Sequence, residues 1–392
     1  MRIAFIGQKE FPATSREIDR YIEELAIRLA ERGHDVFSYV EKCHNGKDFF
    51  ESEGVKFVRV SGFGSRKMKR ASHFLFTTFK IIFKKYDVIH FQGIESSFFG
   101  IILKLLKRKT AFISTFHSRN YLQENRGRLE KKIIKLSEKI FFDISERIIT
   151  TSKVLKRYAL SQYRRNIIHI PTGPSLKYDA GTKSLERWEL KEKKYIVMEI
   201  KPEVSEAVEK IISAFKKIED TSKIANGFKL LLLGDALLNS KQKTFIKKII
   251  KGRNSIIFTE KQNRSSAEQL LSHAYLFIQP SSSEEIPMRL IEAMNSKTAP
   301  LVCGSHSNLE TVGKCGFVFN SSSLENTKEV MSYILNKPLE TQKMGRMARE
   351  RIQKQFSWDS ITRKTLRIYE LAAESKEKKK LNALSKKVES YV

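Results

Sequence analysis

An alternation that runs twice along the chain constrains its fold more than any other feature. Short apolar runs that read as buried strands recur at 2–7, 35–40, 55–60, 87–92, 111–116, 147–151 and 166–170, with helical patterns between most of them. Residues 171–194, "PTGPSLKYDAGTKSLERWELKEKK", are rich in proline, glycine and charge and break the series. The alternation then resumes, with strands expected at 195–200, 229–234, 256–260, 275–280, 299–303 and 316–320. Two runs of βαβ units predict an α/β protein of two Rossmann-like domains, each a parallel sheet with helices on both faces. Ligands of such sheets bind at the carboxyl ends of the strands, so two facing domains predict a cleft. The expected boundaries are a first domain over 1–172, a linker over 173–194, a second domain over 195–356, an amphipathic helix over 357–374 and a charged tail over 375–392.

Charge narrows the partners. The 392 residues carry 73 Lys and Arg against 44 Asp and Glu, a net charge of +29. Nucleic acid, an anionic membrane surface, or a lysine-rich composition with no specific meaning would each explain it. Two segments, "SRKMKRASHFLFTTFKIIFKK" (65–85) and "GIILKLLKRK" (100–109), could form basic helices with an apolar face, as peripheral membrane contacts do. Core helices with solvated lysines explain them equally well. No helix-turn-helix, RNP-like or zinc-finger signature supports nucleic acid, which ranks last. No apolar run reaches the 18 or so residues of a membrane span, and no secretory signal opens the chain. Cys43, Cys303 and Cys315 lack paired spacing, against a disulfide framework or a zinc site. A cytoplasmic protein is expected, peripheral on the inner face of the membrane where the basic helices engage it.

The densest chemistry lies in "LFIQPSSSEEIPMRLIEAM" (276–294). A buried strand ends at Pro280, a polar loop follows, and Pro287 suits a first helical turn. Free N–H groups around Met288 and Arg289 would attract a phosphate. Glu284 in the loop and Glu292 in the helix could grip hydroxyl-rich groups flanking it, since each carboxylate oxygen accepts from paired hydroxyls. Taken alone, two such glutamates more often cap a helix and face solvent. His117 stands just past the end of another buried strand, where site residues collect. His90 and His169 lie inside apolar strands and read as core, while His306 after a later strand is a weaker candidate. There is no Walker pattern, no G-x-G-x-x-G after either first strand, no G-x-S-x-G, no H-E-x-x-H and no D-x-D. The chemistry left is metal-free.

Tandem βα domains, a histidine after a first-domain strand and E-x7-E after a second-domain strand resemble the retaining family-4 glycosyltransferases of the GT-B fold. "GQKEFPATSREIDRYIEELAIRLAERGHDV" is similar to the family opening G-x-x-x-x-P-A-T-S-G-G-x-E-R-x-x-E-E-L-A. "VIHFQGI", "STFHSRNYLQENRGR", "IITTSKVL", "IHIPTG", "LLLGD" and "FSW" echo further landmarks in order. The resemblance implies transfer of a sugar from a nucleotide-diphosphate sugar, with no cofactor or metal. Glu292 would hold the ribose, Glu284 and His117 the transferred sugar, and Phe356 to Trp358 would begin a helix crossing back to the first domain. Acceptors in the family bind the first domain and are often lipid-linked saccharides of cell-surface polysaccharide synthesis.

This chain departs from the family where the diphosphate binds. Arg16 and Glu17 replace a glycine pair, and Glu199, Ile200 and roughly 204–206 stand where the family has G-R…K. Glu285, Lys297, His306 and Ser307 replace further glycines. Arg16, Lys201, Arg289 and Lys297 all fall near the expected site and could compensate. Three functions follow, of which the first is a working transferase with altered donor contacts and the second an inactive relative serving as scaffold for a partner glycosyltransferase. A basic protein reusing the fold for membrane or nucleic acid is the third.

Overall fold

The computed structural model describes residues 1–392 apart from 14–15, 44–45, 120–126, 176–178, 202–205, 223–226, 235–237, 281–283 and 390–392. The chain divides into two compact units: Met1–Thr172 together with the segment from Trp358 onward, and Gly173–Ser357.

The first unit holds β1 (Arg2–Ile6), β2 (Glu10–Phe11), α1 (Glu17–Ala30), β3 (Asp35–Val40), β4 (Lys42–Cys43), β5 (Phe49–Ser52) and β6 (Val55–Arg59). After these come α2 (Arg66–Ile82), β7 (Val88–Gln92), α3 (Gly100–Leu106), β8 (Ala111–Phe116), α4 (Arg128–Ile144), β9 (Arg147–Thr150), α5 (Lys153–Tyr163) and β10 (Ile167–His169). Its main sheet runs β10-β9-β8-β7-β1-β3-β6-β5 and is parallel except for β5, which pairs antiparallel with β6. The strand order reverses between β1 and β7, which leaves a crevice at their carboxyl ends. Consecutive residues Ile3, Ala4 and Phe5 are all fully buried, because helices cover both faces. Tyr21, Ile22, Leu25 and Leu29 of α1 pack one face, and Phe74 and Ile81 of α2, Leu103 of α3 and Ile144 of α4 pack the other. Gly7 follows β1 with φ near +125°, and a Cβ there would lie 2.3 Å from the Gln92 carbonyl oxygen. Only glycine lets these two strand ends close up.

The second unit holds α6 (Lys183–Arg187), β11 (Tyr195–Ile200), α7 (Glu206–Thr221), β12 (Lys229–Gly234), α8 (Ser240–Ile250), β13 (Ile256–Thr259), α9 (Arg264–Ser272) and β14 (Leu276–Gln279). It continues with α10 (Met288–Asn295), β15 (Ala299–Cys303), α11 (His306–Val312), β16 (Phe317–Phe319), α12 (Leu324–Asn336) and α13 (Pro338–Gln355). The sheet is wholly parallel, in the order β13-β12-β11-β14-β15-β16, and reverses between β11 and β14. Val208, Ile211 and Phe215 of α7 pack one face with Met331 and Ile334 of α12. Leu290 and Ile291 of α10 pack the other with Leu270 of α9 and Ile352 of α13. Finally α14 (Trp358–Glu389) returns to the first unit, where Trp358, Ile361, Ile368 and Tyr369 join the core beside α1.

Two parallel α/β sheets and a long final helix are as the sequence predicts; local details differ. Residues read as linker contain α6, and Leu185 and Leu190 are buried in the second unit's core. The final helix begins at Trp358, not Phe356, and continues through residues read as a charged tail to Glu389. Phe356 is buried in the second unit instead. The small β2–β4 pair and edge strand β5 have no counterpart in the expected strands.

Candidate functional site

In the second unit the predicted residues gather where the strand order reverses. Glu199 is the penultimate residue of β11, and Arg289 is the second residue of α10, the helix that follows β14. The Arg289 Nε–H donates to Glu199 Oε1 at 2.9 Å, and its Nη1–H donates to Glu292 Oε2 at 2.9 Å, one helical turn on. Ser175 Oγ–H donates to the other Glu292 oxygen at 2.7 Å, and Arg264 in turn holds the Ser175 carbonyl. Glu292 is fully buried, while Arg289 keeps 16% of its side chain exposed. Burial opposes the charge on Arg289, but Glu292 and Glu199 outweigh it and hold the guanidinium well above its usual range.

Arg289 was expected as a spare cation for a phosphate; the structure gives it two internal carboxylates. Glu199 stands where the family resemblance implies a glycine. Only the adjacency of β11 and α10 reveals it as the partner of an arginine 90 positions away. Ser175 carried no signal at all. Met288 is buried as the first residue of α10, and Pro287 before it brings no capping side chain. Glu284 lies half-buried in the bend leading into α10, and Lys201 lies half-buried just past β11. Lys297 adopts φ near +63°, the left-handed conformation that glycine takes most easily. Ser307 is buried in α11, which Ser305 caps by accepting from the Asn308 N–H at 3.3 Å, and His306 is exposed. Residues 202–205, which include part of the stretch aligned with the missing lysine, and the serines at 281–283 lie outside the described residues.

In the first unit the loop after β1 is fastened to its own helix. The Lys9 N–H donates to Asp19 Oδ1 at 2.9 Å, and the Ala13 N–H donates to Glu23 Oε2 at 2.8 Å. Arg16 reaches the same Asp19 oxygen at 3.4 Å. Backbone donors of the kind that would meet a phosphate thus hold α1 carboxylates, and the cation proposed to replace them leans on one of those carboxylates. Asp19 is fully buried, and its carboxyl titrates above the usual range because of that burial, against the pull of Arg16.

His117 lies immediately after β8, 7% exposed, with its edge against the Tyr21 ring. A glutamine carbonyl can only accept, so the 2.8 Å contact means that His117 Nε2–H donates to Gln92 Oε1. That fixes the tautomer and leaves Nδ1 as an acceptor suited to a hydroxyl. Burial, with Arg16 assisting, lowers its pKa to about 3. His90 is buried between the Tyr369 hydroxyl at 2.5 Å and Thr115 Oγ1 at 2.7 Å, and burial also drives its pKa well below the usual value. Both histidines are neutral near pH 7, while the unfolded chain takes up protons on them below about pH 6.5. The stability they lend is therefore complete above that pH and drains away as the pH falls toward 3. Urea titrations should show the midpoint of the first unit falling from about pH 7 to about pH 5, by well over 1 kcal/mol for the pair. An unchanged midpoint would contradict burial of these rings in neutral form.

Among the described residues no group of three or more His, Cys, Asp or Glu is placed to hold a metal. No described helix is long and apolar enough to cross a membrane.

Comparison with known proteins follows the same two-unit division. The model of Glycosyltransferase Family 4 matches residues 18–177, and that of Glycosyl transferases group 1 matches residues 183–351. The MMP alpha-(1->4)-mannosyltransferase of Mycolicibacterium hassiacum is 30% identical over 107 residues, which cover 26% of this chain and 26% of that protein. The match thus spans about a quarter of that curated relative. Sucrose-phosphate synthase from Thermosynechococcus elongatus superposes with a TM-score of 0.79 at 19% identity, covering 95% of this chain and 99% of that one. Anabaena Alr3699/HepE, solved in complex with UDP and glucose, does so with a TM-score of 0.71 at 14% identity, covering 94% and 99%. At these identities the structures establish the shared fold.

Proposed function

The chain belongs to the GT-B glycosyltransferases described by these two family models, and we propose from that premise that it moves a sugar from a nucleotide-diphosphate sugar with retained anomeric configuration. The observation that carries this reading is the buried Glu292 at the strand-order reversal, where a sheet of this kind takes its ligand. Ser175 and Arg289 donate to different oxygens of Glu292 and fix the plane of a carboxylate whose oxygens would accept from the paired hydroxyls of a ribose. Glu284 in the bend before α10 and the neutral His117 would contact the transferred sugar, with Nδ1 of the histidine accepting from a hydroxyl. Having a pKa near 3, His117 would position the sugar without moving a proton at neutral pH. Catalysis would rest on placed dipoles stabilising the departing diphosphate and an oxocarbenium-like sugar. Met288 and Arg289 at the start of α10 and Lys201 past β11 would face the phosphates, and Arg16 would do so from the first unit. A saccharide or lipid-linked acceptor completes the reaction.

One observation favours the second reading, an inactive relative that supports a partner glycosyltransferase. Arg289 is already neutralised by Glu199 and Glu292, so an incoming diphosphate must compete with them.

Calorimetric titration with UDP, GDP and their sugar conjugates, without added metal, separates the two readings. A transferase should bind one nucleotide at micromolar concentration, and Glu292→Ala should weaken that binding at least tenfold, about 1.4 kcal/mol. Absence of binding at millimolar nucleotide would sink the transferase reading for the isolated chain.

A further inference from the structure

A surface helix of a globular domain needs one apolar stripe, and its opposite face is normally polar. The layer formed by α2, α3 and α4 breaks that rule. Its inner side is spent on the first sheet, through Phe74, Ile81, Leu103 and Ile144. Its outer side nevertheless carries a second set of large apolar side chains. Phe79 is 51% exposed and Phe83, capping α2, 85%; on α3 Leu105 and Leu106 are 66% and 61%; on α4 Leu129 and Leu136 are 73% and 52%. Phe76, Phe79 and Phe83 fall on one stripe of α2, and Leu129, Ile133 and Leu136 on one stripe of α4. Large apolar side chains exposed together on neighbouring helices of one layer mark an interaction site.

The charge around it selects the partner. Neither α2 nor α3 contains a single acidic residue. Exposed Lys80 and Lys85 flank the phenylalanines, Arg108 and Lys109 follow α3, and Lys132, Lys135 and Lys139 alternate with the apolar residues of α4. The rings of Phe76, Phe79 and Phe83 are confined to α2, while Leu105, Leu106, Leu129, Ile133 and Leu136 offer a base nothing to stack on, so the patch as a whole fits a nucleic acid less well than a lipid surface. Apolar side chains set among cations fit the boundary of a bilayer, with the chains entering the acyl region and the lysines meeting anionic headgroups.

We propose that the outer face of α2, α3 and α4 docks the protein on anionic lipid. The proposal stands on this surface and is independent of sugar transfer. It is tested by sedimenting the full chain with vesicles of pure phosphatidylcholine and of equimolar phosphatidylcholine and phosphatidylglycerol. Binding should be confined to the mixed vesicles and weaken as salt rises. Phe79→Ser, Phe83→Ser and Leu105→Ser together should lower the affinity at least tenfold, and each of Lys132→Gln and Lys135→Gln by roughly fivefold. All five residues are exposed, so the melting temperature should hold, and circular dichroism checks it. Equal binding to neutral vesicles, no binding, or binding indifferent to the triple variant would overturn the proposal. So would a dimer that the triple variant turns into a monomer, or salt-sensitive binding to nucleic acid that outcompetes the vesicles.

Discussion

Arg289→Ala should destabilise the second unit by about 3–5 kcal/mol, a large part of the 5–15 kcal/mol that holds a typical domain folded. The variant takes their shared cation from two carboxylates, Glu199 at 14% exposure and Glu292 at zero. Breaking a buried ion pair from one side costs more than the pair was worth, because the partner remains desolvated. Urea denaturation would read the loss as a lower midpoint. Arg289→Lys should recover only part of the loss, since an ammonium cannot present the planar fork that spans both partners. A midpoint unchanged in Arg289→Ala would mean that the triad does not hold the unit together.

The second large effect runs the other way. Glu199→Gln keeps the side chain's shape and an oxygen for Arg289 while removing one of the two charges that occupy the guanidinium. If the nucleotide's phosphates approach the start of α10, the released cation should add about 1.5–3 kcal/mol to their binding, roughly ten- to a hundredfold in affinity. Calorimetry with the nucleoside diphosphate that the parent chain binds best would show it. Affinity that stays constant or drops would mean that Arg289 serves the packing of α10 against β11 and has no part in holding phosphate.

These two expectations also mark where sequence reading stops. The strands were legible because residues buried on both faces of a parallel sheet form unbroken apolar runs, as in DVIHFQ and KLLLLG. The edge strand β5 was not: its residues alternate between exposed and half-buried, and "FFES" lacks such a run. The two-residue strands β2 and β4 are too short for any periodicity. At the candidate site the residue types were legible and their pairing was not. Glu199 stands where the resemblance implies a glycine and Arg289 near the expected phosphates, yet neither carries a sign that it meets the other. That meeting depends on β11 lying next to β14, a consequence of strand order rather than of local composition. Lys297 shows the opposite case. It stands where the family resemblance implies a glycine, and the lysine does take the left-handed backbone there.

The return of α14 to the first unit has a consequence for how the protein is made. When synthesis reaches Thr172, the first unit has its strands but lacks Trp358, Ile361, Ile368 and Tyr369, and His90 lacks the hydroxyl that it holds at 2.5 Å. The whole second unit must be translated before those side chains exist, about ten seconds or longer at ordinary ribosome speeds. The unit encoded in one stretch can therefore close first, although it leaves the ribosome second. Until the last helix arrives, the earlier half of the chain waits with one side of its core open.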